Sequence, residues 1–199
     1  MSVGRQATGS MGIKEKHLVA KFEIVKIGNP VLRKKASVIA RDILKDRSFK
    51  KLLKEMVSTM HRMQGVGLAA NQVGLGIQLI VLECEANPRY PQAKGFPLEI
   101  WINPRIVEYS KEKEEGWEGC LSIPGYRGVV PRSKRVTFEA ITPEGKKAYK
   151  TVEGFHARVI QHEVDHINGY FYIDRMMDFR SWMHLDEFNQ RLQTHVKNR

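Results

Sequence analysis

The sequence predicts an α+β domain: antiparallel sheets packed around a central metal-binding helix that carries a His-Glu-x-x-His motif, with an N-terminal helix and a C-terminal helix. Three observations predict it. Apolar residues recur at helical spacing over about Ser48–Gln64, short strand-like segments separated by turn residues fill residues 77–152, and helical patterning returns at Glu153 and again near Ser181. Strands grouped together between helices favour antiparallel pairing over the alternation that builds a parallel sheet.

Residues 1–16 (MSVGRQATGSMGIKEK) are small, polar and aperiodic, and are expected to form an extension outside a single domain spanning 17–199. They hold no apolar stretch of the kind that marks a secretory signal. Phe22–Ile27 alternates like a strand and stops at Gly28-Asn29-Pro30. In the first helix Phe49, Leu52, Leu53, Met56, Val57, Met60 and Met63 form one apolar face, Asp46 is placed to cap the start, and Gly65 to end it. The methionines on that face suit an irregular core. Strands are expected at Gln78–Glu83, Leu98–Ile102, Ile106–Ser110, Gly128–Pro131, Val136–Ala140 and Lys147–Val152. Asn87-Pro88, Asn103-Pro104, Pro124-Gly125 and Thr142-Pro-Glu-Gly145 punctuate them. The second helix is expected over Glu153–Ile167, and the last over about Ser181–Val196 with Trp182, Leu185, Phe188 and Leu192 on one side.

The composition is that of an ordinary globular protein, with 42% hydrophobic and 28% charged residues among 199. No apolar run approaches membrane-spanning length, so no membrane partner is expected. Two cysteines, Cys84 and Cys120, are too few for a disulfide framework and fit a reducing, cytoplasmic setting. The net charge of +11 is concentrated: residues 1–54 hold 14 Lys/Arg against 4 Asp/Glu, and residues 55–199 hold 19 against 18. That N-terminal basicity reads either as a solvated face or as attraction to a polyanion such as the ribosome, without sequence-specific recognition of nucleic acid.

The chemistry is concentrated in Gln161–Gly169, QHEVDHING. Positions four apart share a helix face, so His162 and His166 can both turn a ring nitrogen toward one ion, with Glu163 beside them. Two imidazoles need a third ligand. The continuation His-Glu-x-x-His-x-x-Gly-x-x-His holds through Gly169 and fails at Tyr172. A thermolysin-like site would use a glutamate about where Glu187 lies, 21 residues beyond His166. Upstream, Glu118-Gly-Cys-Leu-Ser122 offers Cys120 in a Gly-flanked segment, and a thiolate with two imidazoles suits zinc or ferrous iron with a fourth position open. On spacing alone both remain.

Three segments together narrow the choice. Gly65-Val-Gly-Leu-Ala-Ala-Asn-Gln72, Glu118-Gly-Cys-Leu-Ser122 and His162-Glu-Val-Asp-His166 stand in the order of the three motifs of the peptide deformylases, and the chain resembles that family from about Phe22 to Met177. The resemblance implies that Cys120, His162 and His166 bind one ion per chain, natively Fe²⁺, with zinc or nickel able to substitute. It implies hydrolysis of the formyl group from formyl-methionine at the start of newly made polypeptides, with Glu163 moving the proton and the Gln72 amide and Leu121 N–H facing the developing oxyanion. Gly67, like Gly65, suits a loop that a peptide backbone approaches closely, Gly119 flanks the cysteine along the same cleft, and the resemblance puts Arg127 on the substrate backbone. Phe155 and Val159, on the His162 face of the helix, together with Val66, are candidates for the methionine pocket, although Arg158 shares that face. Glu118 and Asp165 are candidates to orient ligands or hold arginines, and Trp117 to shape the cleft wall. Docking near the ribosomal exit through the C-terminal helix is a further implication. The rivals are a peptidase using Glu187, and a ribosome- or RNA-binding protein with a degenerate site.

Overall fold

The computed structural model describes residues 22–85 and 94–197. The extension at 1–16 and the Asn87-Pro88 turn lie outside the described residues. In chain order the elements are α1 (Arg47–Arg62), β1 (Gly67–Ala69), β2 (Leu79–Cys84), β3 (Phe96–Tyr109), β4 (Lys113–Cys120), β5 (Ile123–Ser133), β6 (Arg135–Ile141), β7 (Lys147–Glu153), α2 (Gly154–Ile167), β8 (Met183–His184) and α3 (Leu185–Lys197), with short 3-10 turns between them. One antiparallel sheet runs β1-β2-β3-β6-β7 and a second runs β4-β5-β8. The α+β class with antiparallel sheets and flanking helices is as expected.

The apolar run at 79–82 explains why two helices can use one sheet. Side chains alternate faces along a strand. On β2, Ile80, Leu82 and Cys84 point into a core shared with Ala157, Ile160, Val164 and Ile167 of α2. Leu79 and Val81 point the other way, onto Phe49, Leu53, Met56 and Met60 of α1. A smaller core of Leu32, Ile123, Val130, Phe171 and Tyr172 joins β5 to the chain that follows α2. The helix α2 therefore sits between the sheets, with nearly every residue from Ala157 to Ile167 buried.

Several elements differ from the sequence reading, each for a physical reason. Phe22–Ile27 is extended but joins no sheet; Val25 donates to the Gln72 carbonyl and Ile27 to the Ser122 carbonyl. The two strands expected at Leu98–Ile102 and Ile106–Ser110 are one, because Asn103 takes φ 51° and carries the strand through Pro104 with a register shift. Asp46 stands at the start of α1 without a side-chain capping bond. Gln64 rather than Gly65 adopts the left-handed conformation (φ 52°) that ends it, with Gly65 N–H donating to Met60 and Gln64 N–H to His61. Trp182 precedes the last helix, because Met183 and His184 pair with Arg127 and Tyr126 of β5 before α3 begins.

Candidate metal centre

Two segments distant in sequence bring three donor side chains together at α2. His162 and His166 lie one turn apart on that helix, and Cys120 ends β4 at the tight turn Leu121-Ser122 into β5. Their donor atoms all lie within 4.8 Å of one another: Cys120 Sγ is 3.1 Å from His166 Nε2, which is 3.2 Å from His162 Nε2. No other trio of His, Cys, Asp or Glu among the described residues is so placed. Glu187 is exposed on α3 and outside this group, so the peptidase reading loses its third ligand to Cys120.

A donor set of one thiolate and two imidazoles suits a tetrahedral ion with one position left for water. The surroundings also fit an ion. His162 Nδ1 meets Glu118 Oε2 at 2.8 Å, which turns Nε2 toward the other donors. Burial and the neighbouring His162 lower the pKa of His166 well below its usual value, so its Nε2 lone pair is available. Burial opposes charge on His162 too, yet Cys120 and Glu118 beside it outweigh burial and raise its pKa.

Glu118 is no surface carboxylate. It is buried and held by Arg132 through Nε at 2.9 Å and a second nitrogen at 3.0 Å, and by Arg158 at 2.9 Å. Burial alone would push its pKa up, but Arg132 and His162 bring it well below the usual carboxylate range. Asp165, one turn along, takes the other end of Arg132 at 2.5 Å and Arg175 at 2.7 Å. The reach of Arg158 to Glu118 and to the carbonyls of Glu114 and Val130 explains its position beside the pocket: its head group braces β4 and β5.

Glu163 faces the same space from the next position on α2. It is buried, one carboxylate oxygen has no partner, and burial pushes its pKa up to about 7. Gly67 on β1 approaches so closely that a Cβ there would lie 2.3 Å from Glu163 Oε1. Gln72 is also buried: Ala69 N–H donates to its Oε1 at 2.9 Å, so its amide N–H points at Cys120 Sγ (3.4 Å) and Ser122 Oγ (3.4 Å).

The centre opens into a cleft of about 650 Å³. Val66, Gly67, Gly119, Leu121, Arg127, Phe155 and Val159 all line it, so every expected substrate residue is brought to one place. His166 alone of the expected site residues is fully enclosed beneath it. Sequence reasoning missed Ser122, whose hydroxyl meets Gln72, and Arg132, whose charge is shared by Glu118 and Asp165; neither belongs to a periodic pattern. It also missed that Leu185 and Phe188 of α3 reach the cleft.

Comparison with known proteins identifies relatives across most of the chain. Residues 21–182 match the family model described as polypeptide deformylase. Peptide deformylase 2 of Pseudomonas putida is 44% identical over 157 residues, 79% of this chain and 88% of that protein. Peptide deformylase 1 of Nitrosomonas europaea is 41% identical over 82% of this chain and 92% of its own. Among solved structures, the class I type b peptide deformylase of Acinetobacter baumannii with Met-Ala-Ser bound superposes with TM-score 0.77 at 36% identity, over 79% of this chain and 99% of that one. The Thermotoga maritima peptide deformylase gives TM-score 0.70 at 36% identity over 80% and 99%. This chain belongs to the peptide deformylase family, whose members are metal-dependent enzymes.

Proposed function

We propose that the protein removes the formyl group from the N-terminal formyl-methionine of nascent polypeptides, using one Fe²⁺ per chain held by Cys120, His162 and His166. The observation that carries this reading is the Cys–His–His trio at the floor of the cleft with an unpartnered carboxylate oxygen of the buried Glu163 beside it. An ion bound there would lower the pKa of a water toward neutrality and polarise a carbonyl.

The chain's own groups do the rest. Glu163 accepts a proton from the water as its oxygen adds to the formyl carbon, and delivers it to the amine as the C–N bond breaks. Formate and a free amino terminus leave. The Gln72 amide, held by Ala69, and the Leu121 N–H donate to the formyl oxygen as negative charge develops on it. Glu118 keeps the His162 ring oriented while Arg132 and Arg158 fix Glu118 in turn. The peptide lies as an extended strand between the Gly65–Gly67 edge and Gly119, with Arg127 on its backbone and the methionine side chain against Val66, Phe155 and Val159. A relative crystallised with Met-Ala-Ser, the chemistry of a deformylated product, supports this reading.

Action on nascent chains would bring the protein to ribosomes in a bacterial cytoplasm, and no helix among the described residues is long and apolar enough to cross a membrane. The basic N-terminal quarter supports ribosome docking. Co-sedimentation with ribosomes that falls as salt rises is expected; salt-insensitive binding contradicts an electrostatic anchor. The ligand assignment is tested by metal analysis of two variants: Cys120→Ala loses the ion and Glu187→Ala retains it, and the opposite pair of results overturns it.

A further inference from the structure

The helix α3 begins beyond residue 182, where the match to the family model ends, and yet it stands against the cleft that holds the metal centre. Its approach is fixed at the near end. Met183 and His184 add to the edge of β5, Tyr126 stacks on Trp182 with ring centroids 4.3 Å apart, and Trp182 Nε1 donates to the Tyr172 hydroxyl at 3.1 Å. From there Leu185, Phe188, Asn189 and Leu192 line the cleft. Phe188 meets Trp117 edge-on at 4.8 Å, and the Arg127 guanidinium lies 5.2 Å from its ring.

We infer that α3 forms a subsite for the peptide that follows the formylated methionine, selecting a large apolar side chain at the second or third residue. This rests on the deformylase reading and goes beyond it to the choice among nascent chains. The cleft, about 650 Å³, lies in the range that takes a ligand of several groups rather than one side chain. Val159 and Glu163 are buried while Leu192 is half exposed, so the α3 wall stands at the more open side of the same cleft that holds the centre, Val66 and Phe155. That wall is chemically matched to an apolar occupant: Leu192 is half exposed at 49% although it faces the cleft, and Trp117 with Phe188 presents ring edges that a further aromatic ring can pack against. The acidic residues of the first turn of α3, Asp186 and Glu187, are exposed and not among the cleft-lining residues.

The test compares formyl-Met-Ala-Ser with formyl-Met-Leu-Phe on the metal-loaded full chain. The native protein should prefer the apolar peptide, and Phe188→Ala should raise KM for that peptide about three- to tenfold, with kcat held, so that the preference shrinks. Glu187→Ala, on the other face, should leave the preference as it was. A Phe188→Ala enzyme with the native preference overturns the subsite, and so does one whose kcat falls equally on both peptides, since that marks a merely structural role. Calorimetric binding of the product peptide Met-Leu-Phe needs no turnover and separates the two readings. Binding weakened by Phe188→Ala upholds the subsite even if no formate is released from any substrate, and binding indifferent to it overturns the subsite even in an active deformylase.

Discussion

Glu163 occupies the space that a side chain on Gly67 would fill: a Cβ on Gly67 would come within 2.3 Å of Glu163 Oε1 and 2.9 Å of Cγ. The first and third motifs are therefore matched to each other in shape. A glycine on the three-residue strand β1 allows the carboxylate of α2 to stand beside the metal ligands.

Gly67→Ala consequently displaces Glu163 without touching a ligand. Misplacement of a reacting group by about 1 Å can cost on the order of a hundredfold in rate. We expect kcat/KM to fall about a hundredfold while the bound metal stays near one ion per chain. The check is steady-state kinetics together with metal analysis of the same preparation, and full activity with alanine at 67 contradicts the packing described.

Glu118→Gln removes the charge that Arg132 and Arg158 share and weakens the hold on His162 Nδ1. Loss of an outer partner of a ligand commonly weakens metal affinity about 10- to 100-fold. Leaving buried arginines undercompensated costs about 3 kcal/mol. Chelator competition should show the first effect and urea unfolding of the metal-free protein the second.

Gly169 belongs to the helix terminus rather than to a ligand motif. It ends α2 with φ 86°, its N–H donating to His166 and that of Tyr170 to Asp165, and a Cβ there would lie 2.7 Å from the Arg33 carbonyl oxygen. Gly169→Ala is expected to destabilise by more than about 2 kcal/mol from the left-handed strain and the backbone clash together. Denaturant unfolding measures it.

Glu99 supplies a pH dependence away from the metal. Burial would raise its pKa, but His156, Lys150 and Trp101 surround the carboxylate and bring it down to about 2. A carboxylate whose pKa is lower folded than unfolded adds stability above its unfolded value, and that stability is lost as pH falls toward the folded one. The stability advantage of the native chain over Glu99→Gln should thus be full above about pH 5 and fade between about pH 4.5 and 2, read from unfolding midpoints across that range. An advantage independent of pH contradicts the pairing.

The helices and their apolar faces were legible because their periods are strong. The metal trio was legible because the spacing of His162 and His166 is a helical spacing and Cys120 lies in a separable motif. What escaped the sequence was tertiary. β4, with the run Lys113-Glu-Glu-Gly-Trp117 in it, has no apolar alternation and is a strand only because β5 supplies its backbone partners. Phe22–Ile27 has the alternation but pairs with no strand, making only isolated backbone bonds to Gln72 and Ser122. Arg132 and Arg158 gain meaning from carboxylates and carbonyls 14 to 44 residues away. The last helix showed an apolar side, and only the fold shows that this side borders the substrate cleft.

The central claim is that the Cys120–His162–His166 centre and Glu163 hydrolyse a formyl amide. Anaerobic assay of the Fe²⁺-loaded protein on formyl-Met-Ala-Ser, with formate and free amino termini counted together, tests it most directly. The account predicts equal amounts of both from the native protein, and a loss of about a hundredfold or more in Glu163→Gln that keeps its metal. Peptide-bond cleavage without formate, or native activity in Glu163→Gln, would contradict it.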